Sequence, residues 1–257
     1  QGVGVVDLPI ARSRATNLPL VPGSAIKGVL RDEMPLNGEH VRTTLFGPES
    51  TAEGDTYAGA LAVGDAHLLL LPVRSFSGVV AFATCPFILN RYARDQEDKT
   101  PDLPTLSADQ AALTRNSPLL AGDKVLLEDL DLSAIAGEAN TIQWGERISQ
   151  ALYPDSADRA AEWRAEFVKR FAILPDAVFA FLADTATEIR ARVRINHETR
   201  TVARGALWYE ENLPAESVLW GVIGVSASRS ARHPATAADL AALLPSGELC
   251  LQIGGKH

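Results

Sequence analysis

Apolar and polar positions alternate along this chain with two different periods. From Gly59 to Leu71 and from Val73 to Thr84 the residues are dense in Val, Leu and aromatics, with Pro72 between the two runs. That pattern predicts two strands paired antiparallel. Upstream, Leu18–Arg31 reads L-P-L-V-P-G-S-A-I-K-G-V-L-R. Pro19 and Pro22 push the residue before each toward extended backbone. Ile26, Val29 and Leu30 then fall at i, i+3 and i+4, one face of a helix with Ser24 as its expected N-cap. Asp32–Thr56 is polar and broken by Pro and Gly, and reads as loop. Pro86 opens a predicted helix through Phe87, Ile88, Leu89 and Tyr92.

Beyond that helix the pattern is mixed. Asp95–Asp123 is polar and rich in turn residues. Lys124–Leu132 predicts a strand whose acids, Glu128, Asp129 and Asp131, read as a solvated edge in preference to a metal site. Ala157–Ala172 predicts an amphipathic helix with Trp163, Phe167 and Phe171 as a core stripe. Asp176–Leu182 predicts a second, short helix. Ile189, Ala191, Val193 and Ile195 alternate with Arg190, Arg192 and Arg194, which predicts a half-buried strand with a basic outer face. After the turn His197-Glu198-Thr199 the chain returns over Arg200–Trp208 as the partner of a hairpin. Trp220–Ser228 is an apolar strand, Ala237–Leu244 a short helix, and Glu248–Ile253 the expected closing strand. Helix, strand, strand, helix and closing strand make a ferredoxin-like or RRM-like α+β unit that lacks its first strand. Its expected bounds are 1–100 and 245–257, with 101–244 inserted.

Charge sharpens this picture. The 257 residues carry a net charge of −8, which taken globally argues against nucleic acid. Residues 1–31 hold Arg12, Arg14, Lys27 and Arg31 against Asp7 alone, a local balance of +3, and the remainder carries −11. Lys27 and Arg31 lie four apart on one helix face, behind a helix start whose N–H groups favour anions. Such a corner suits phosphate. No G-x-S-x-G, P-loop, H-E-x-x-H or C-x-x-C pattern occurs, and the five histidines are scattered, so the usual nucleophile and cofactor classes lack support. The two cysteines, Cys85 and Cys250, suit a reduced cytoplasmic protein. No apolar run approaches the roughly 18 residues of a membrane span.

Several segments, in this order, resemble one family. They are V-V-D-L-P-I-A-R at Val5–Arg12, P-G-S-A-I-K-G-V-L-R at Pro22–Arg31, L-F-G-P-E at Leu45–Glu49, P-V-R-S-F at Pro72–Phe76, A-T-C-P at Ala83–Pro86 and G-A-L-W-Y-E-E at Gly205–Glu211. The chain resembles the backbone subunit of type III-B CRISPR effectors, subunit four of the Cmr module, in the Cas seven group of the RAMP superfamily. The resemblance implies a palm with a protruding hairpin thumb. It implies copies stacked in a helical filament along a CRISPR RNA (crRNA), beside other Cmr-module subunits, cutting complementary target RNA at regular intervals. It maps the cutting residue to Asp7, with Mg²⁺ or another divalent cation, and an acid-aromatic segment near the scissile phosphate to Tyr209, Glu210, Glu211 and Asn212, where relatives often end in Tyr; Tyr209 and Glu210 join Asp7 as catalytic candidates. Ser24, Lys27 and Arg31 map to guide-phosphate contacts, and Arg12, Arg74, Arg192 and Arg194 join them as further RNA-binding candidates. The family also has a strand and a loop before Val5 and a glycine-rich loop after Ile253.

The chemistry allows a site this sparse. RNA carries its own nucleophile, the 2′-hydroxyl, and unstacking one nucleotide aligns it with the next phosphorus. One carboxylate at Asp7 would serve as general base or as the holder of a hydrated cation. The alternative readings are a non-catalytic crRNA-binding scaffold of the same fold and a guide-processing nuclease.

Overall fold

The computed structural model describes residues 6–49, 56–96, 99–195 and 200–254. The expected turn at 197–199 lies outside them. In chain order the elements are β1 (Leu20–Val21), α1 (Gly23–Glu33), α2 (Glu39–Phe46), β2 (Leu61–Val63), β3 (Ala66–Ser75), β4 (Val79–Thr84), α3 (Pro86–Arg94), β5 (Gln110–Leu113), β6 (Leu120–Ala121) and β7 (Lys124–Leu127). They continue with β8 (Leu130–Ala136), α4 (Ala139–Leu152), α5 (Ala160–Lys169), β9 (Phe171–Ile173), α6 (Asp176–Thr185), β10 (Glu188–Ile195), β11 (Val202–Asn212), β12 (Val218–Trp220), β13 (Ile223–Val225) and α7 (Ala237–Ala241). The chain forms two compact units, residues 1–19 with 68–220, and residues 20–67 with 221–257.

The larger unit is built on a mixed sheet of order β3-β4-β9-β5-β8-β7-β6. Leu68–Val73 is buried on both faces, as a continuous apolar strand should be. The β3–β4 hairpin pairs Leu71 with Ala83 and Val73 with Ala81. β9 joins β4 in parallel, and a single pairing of Ser75 with Leu127 brings β7 against the far end of β3. Helices α3, α4 and α6 bury Ile88, Leu89, Trp144, Ile148, Phe179 and Leu182 in the same core. Apart from that sheet, β10 and β11 pair with each other, from Glu188 opposite Asn212 to Ile195 opposite Val202, with a bulge between Val193 and Ile195.

The smaller unit packs Leu30 and Met34 of α1's end with Leu45, Phe46, Leu61 and Leu240. β1 pairs with the start of β3, and β2 with β13. Gly23 sits so close to the β2–β3 loop that a Cβ there would lie 2.2 Å from the Val63 carbonyl oxygen.

Several expectations need correction. α1 begins at Gly23 with Pro22 at the cap position, so Ser24 lies exposed in the first turn and caps nothing. The 32–56 stretch holds α2, because Val41, Leu45 and Phe46 give it a core-facing side. Pro72 lies inside β3, opposite Phe82, and the turn falls at residues 76–78. The 124–132 strand is two strands around Glu128 and Asp129, with Glu128 at φ +48° and Asp131 facing Lys124. The helix expected over 157–172 ends at Lys169; Phe171 belongs to β9, and Trp163 is half exposed instead of core. Residues 248–253 form no strand. The hairpin is exposed on its apolar face as well, where Ile189, Val193 and Leu207 keep 56%, 46% and 55% of their surface.

Candidate active site at the β11 edge

Residues 7–11 lie along the free edge of β11. The Asp7 and Leu8 N–H groups both donate to the Tyr209 carbonyl oxygen at 3.1 Å, and the Glu211 N–H donates to the Leu8 carbonyl at 3.0 Å. Leu8 and Glu210 thereby form a parallel bridge, and β10, β11 and the N-terminal segment make a three-stranded ribbon. Asp7 then makes one further bond. Its Oδ2 accepts the Tyr209 N–H at 2.8 Å. Asp7 is exposed, and among the described residues Oδ1 takes no hydrogen bond. A carboxylate with one oxygen anchored and the other open is oriented and still available.

Side chains alternate across β11. Trp208 and Glu210 share a face with Arg190 and Arg192, while Leu207, Tyr209 and Glu211 share the other with Ile189, Ala191 and Val193. Tyr209 stands partly exposed on the second face. Glu210 is buried, its Oε1 accepting from the Trp208 indole N–H at 2.7 Å and its Oε2 from Arg192 Nε at 3.1 Å. Each of its oxygens therefore accepts one hydrogen bond.

Glu211 anchors a second knot. Its Oε1 accepts from Arg12 at 2.7 Å and from the Thr187 hydroxyl at 2.9 Å, and its Oε2 accepts the Ile10 N–H at 3.2 Å. Burial pushes the Glu211 carboxyl up. The bonds from Arg12, Thr187 and Ile10, with the Arg12 charge, outweigh that and hold it below the usual carboxylate range. Arg12, expected to face RNA, is folded inward. It also donates to the Asn17 and Ala183 carbonyls at 3.0 Å and lies 3.7 Å from Asp184, with only 16% of its side chain exposed.

The other expected contacts are dispersed. In the smaller unit, the Gly23 N–H at the start of α1 donates to Asp65 at 2.8 Å, and Lys27 Nζ donates to the Leu61 carbonyl at 2.7 Å. The helix start expected to hold phosphate is thus already facing a carboxylate. Lys27 and Arg31 are half-buried and outside the core. In the larger unit, Arg74 is exposed and lines a cleft of about 720 Å³ with Glu128, Asp129, Phe181 and Glu188. Arg190 pairs with Glu188, and Arg194 is exposed at the hairpin's outer end. The sequence singled out neither Thr187 nor the Ile10 amide. No local signal marks them, since only the register of β11 brings them to Glu211.

For a cation, the donor set decides. Among the described residues no three His, Cys, Asp or Glu side chains converge. One open carboxylate oxygen suits an ion such as Mg²⁺, which keeps several waters and binds through one or two carboxylates plus substrate phosphates. No helix among the described residues is long and apolar enough to cross a membrane.

The chain is similar to known proteins in sequence and fold. The RAMP superfamily model matches residues 2–257. The CRISPR system Cmr endoribonuclease Cmr4 of Pyrococcus furiosus is 36% identical over 232 residues, 87% of this chain and 75% of that protein. The CRISPR system CMR subunit Cmr4 of Saccharolobus solfataricus is 24% identical, over 84% of this chain and 75% of its own length. The crystal structure of oligomeric Cmr4 from Pyrococcus furiosus superposes with a TM-score of 0.72 at 27% identity, covering 98% of this chain and 87% of the other. A type III-B Cmr-beta complex bound to cognate target RNA contains a chain of the same fold, at a TM-score of 0.66 and 16% identity, over all of this chain and 86% of that one. With a superfamily model spanning the chain and a relative this similar along three quarters of its length, the protein belongs to the RAMP superfamily and, within it, to the Cmr4 family.

Proposed function

We propose that this chain is a crRNA-binding backbone subunit of a type III-B CRISPR effector and an endoribonuclease that cuts guide-complementary target RNA at regular intervals. The observation that carries this is the Asp7 carboxylate, tied to β11 through Oδ2 and open at Oδ1, in a chain 36% identical to a Cmr endoribonuclease. In this reading the chain is a ferredoxin-like palm with insertions, and its β10–β11 hairpin is the thumb. It works in the cytoplasm with crRNA, target RNA, further copies of itself and other Cmr-module subunits. Exposed Arg74 and Arg194 meet phosphates directly, as do Ser24 and Arg192, while Lys27 and Arg31 add positive potential.

The chemistry follows from Oδ1. The 2′-oxygen of a splayed nucleotide attacks the adjacent phosphorus, and the bond to the 5′-oxygen breaks, leaving a cyclic phosphate and a 5′-oxygen that takes a proton from solvent water to become the 5′-hydroxyl. Asp7 Oδ1 accepts the 2′-hydroxyl proton, or would hold a divalent cation. Bound there, the cation supplies charge stabilisation on the phosphoryl oxygens. The Tyr209 N–H keeps the carboxylate aimed, and the Tyr209 ring offers a surface on which a displaced base can stack.

The test is Asp7→Ala in a reconstituted effector. Guided cleavage should fall by about 10²-fold or more, the scale of a lost general base, while assembly on guide RNA survives. Undiminished cutting would refute the catalytic assignment and leave the scaffold reading standing. Purified effector should also carry a short RNA of uniform length.

A further inference from the structure

We infer that Arg12 and Glu211, with the Thr187 hydroxyl, form a positioning latch for Asp7, and that Arg12 acts through this latch and makes no RNA contact. The inference rests on the reading of Asp7 given above. Arg12 and Asp7 lie on one short segment, which bridges β11 at Leu8 and pairs with Pro19 at Arg12. Near Asp7 it is held by three backbone bonds at Tyr209 and Leu8. Beyond Leu8 the ladder stops, and the next ties are made by Glu211, to the Ile10 N–H and to Arg12.

Arg12 in turn grips the end of α6 through the Ala183 carbonyl, and Thr187, between α6 and β10, closes the knot on Glu211. The N-terminal segment and the α6–β10 connection therefore meet at one carboxylate of β11. A small shift at Ile10 would slide the segment along β11 and turn Oδ1 of Asp7 away from a fixed phosphate. Displacements of about 1 Å can cost on the order of 10²-fold in rate. An inward guanidinium with its charge met by Glu211 and Asp184 has little left to offer a phosphate.

The experiment compares Arg12→Ala, Arg12→Lys, Glu211→Gln, and the double exchange Arg12→Glu with Glu211→Arg, each in the assembled effector and normalised to assembled complex. A merely structural role would lower assembly or Tm and leave the single-turnover rate of intact complexes unchanged. The latch predicts a 10- to 100-fold fall in that rate for Arg12→Ala and Glu211→Gln, with target-RNA affinity and its salt slope unchanged. The exchange should recover at least fivefold, and Arg12→Ala should cost nothing further in an Asp7→Ala background. Arg12→Lys keeps the charge without the fork and should fall between, which gives a reading even where Arg12→Ala does not assemble.

Reduced affinity with a salt slope smaller by about one would make Arg12 a phosphate contact and overturn the latch. So would an unchanged cleavage rate in Arg12→Lys and Glu211→Gln. If Asp7→Ala itself cuts normally, the reading of Asp7 fails, whatever these variants show. If Asp7→Ala is dead and the latch variants cut normally, only the latch fails.

Discussion

Asp7, on the ribbon beside β11, and Asp65, in the loop between β2 and β3, each accept one backbone N–H at 2.8 Å. The two bonds do different work. Asp65 meets the first N–H of α1, a donor with no partner inside the helix, so its carboxylate satisfies an orphan group and complements the helix dipole. Asp7 meets a strand N–H where three backbone bonds and the Arg12–Glu211 pair already hold the segment. Its carboxylate is not required to keep the chain in place. A side chain whose anchoring adds little to the fold, and whose second oxygen faces solvent, is one the architecture can commit to chemistry. The comparison shows that the hydrogen bond alone does not separate a cap from a site; what else holds the backbone does.

Substitutions can break that comparison. Asp7→Ala should carry the largest effect on function, abolishing guided cleavage with Tm unchanged; a large loss of Tm would mean that Asp7 is a structural acceptor like Asp65. Gly23→Ala should carry the largest effect on stability. The added methyl meets backbone oxygens of Val63 and Gly64 that cannot swing aside, which places the cost at the upper end of overpacking, about 3 kcal/mol, read from denaturant unfolding. Asp65→Ala should cost about 1 kcal/mol, the scale of a lost helix cap, with cleavage by assembled complexes unaltered. Reduced cleavage there would give Asp65 a share in the chemistry.

Acid titration of the wild type against Glu211→Gln gives the smallest and most specific signal. The folded Glu211 carboxyl lies below its ordinary value. The stabilisation from its pairing is therefore complete above the unfolded value of about 4.3 and is lost as pH falls through the lower folded value. The wild type should lose stability over that window more steeply than Glu211→Gln, and parallel curves would mean that the pair does not hold the ribbon.

Much of the fold was legible. The Ile189–Ile195 alternation and its return strand appear as β10 and β11, and the apolar runs around Pro72 as β3 and β4. Pro86 opens α3 in the first turn, as its missing N–H allows. Other elements were hidden by composition. α4 buries Thr141, Trp144, Gly145, Ile148 and Ser149, and only two of these five are large apolar residues. The exposed apolar face of the hairpin was hidden for a different reason, because alternation specifies two faces and says nothing about whether anything covers either.

Local sequence determined what local physics controls: strand and helix periods, the proline start of α3, and the placing of acids and arginines at Asp7, Arg12 and residues 209–211. Tertiary structure alone decided what those charges do. It brought Asp7 to Tyr209, turned Arg12 onto Glu211, filled both oxygens of Glu210, and set Asp65 against the helix start expected to take phosphate. The physical reason is that a charge's role depends on its partners and its solvation. Those are set here by contacts between residues up to about two hundred positions apart, which no periodicity records.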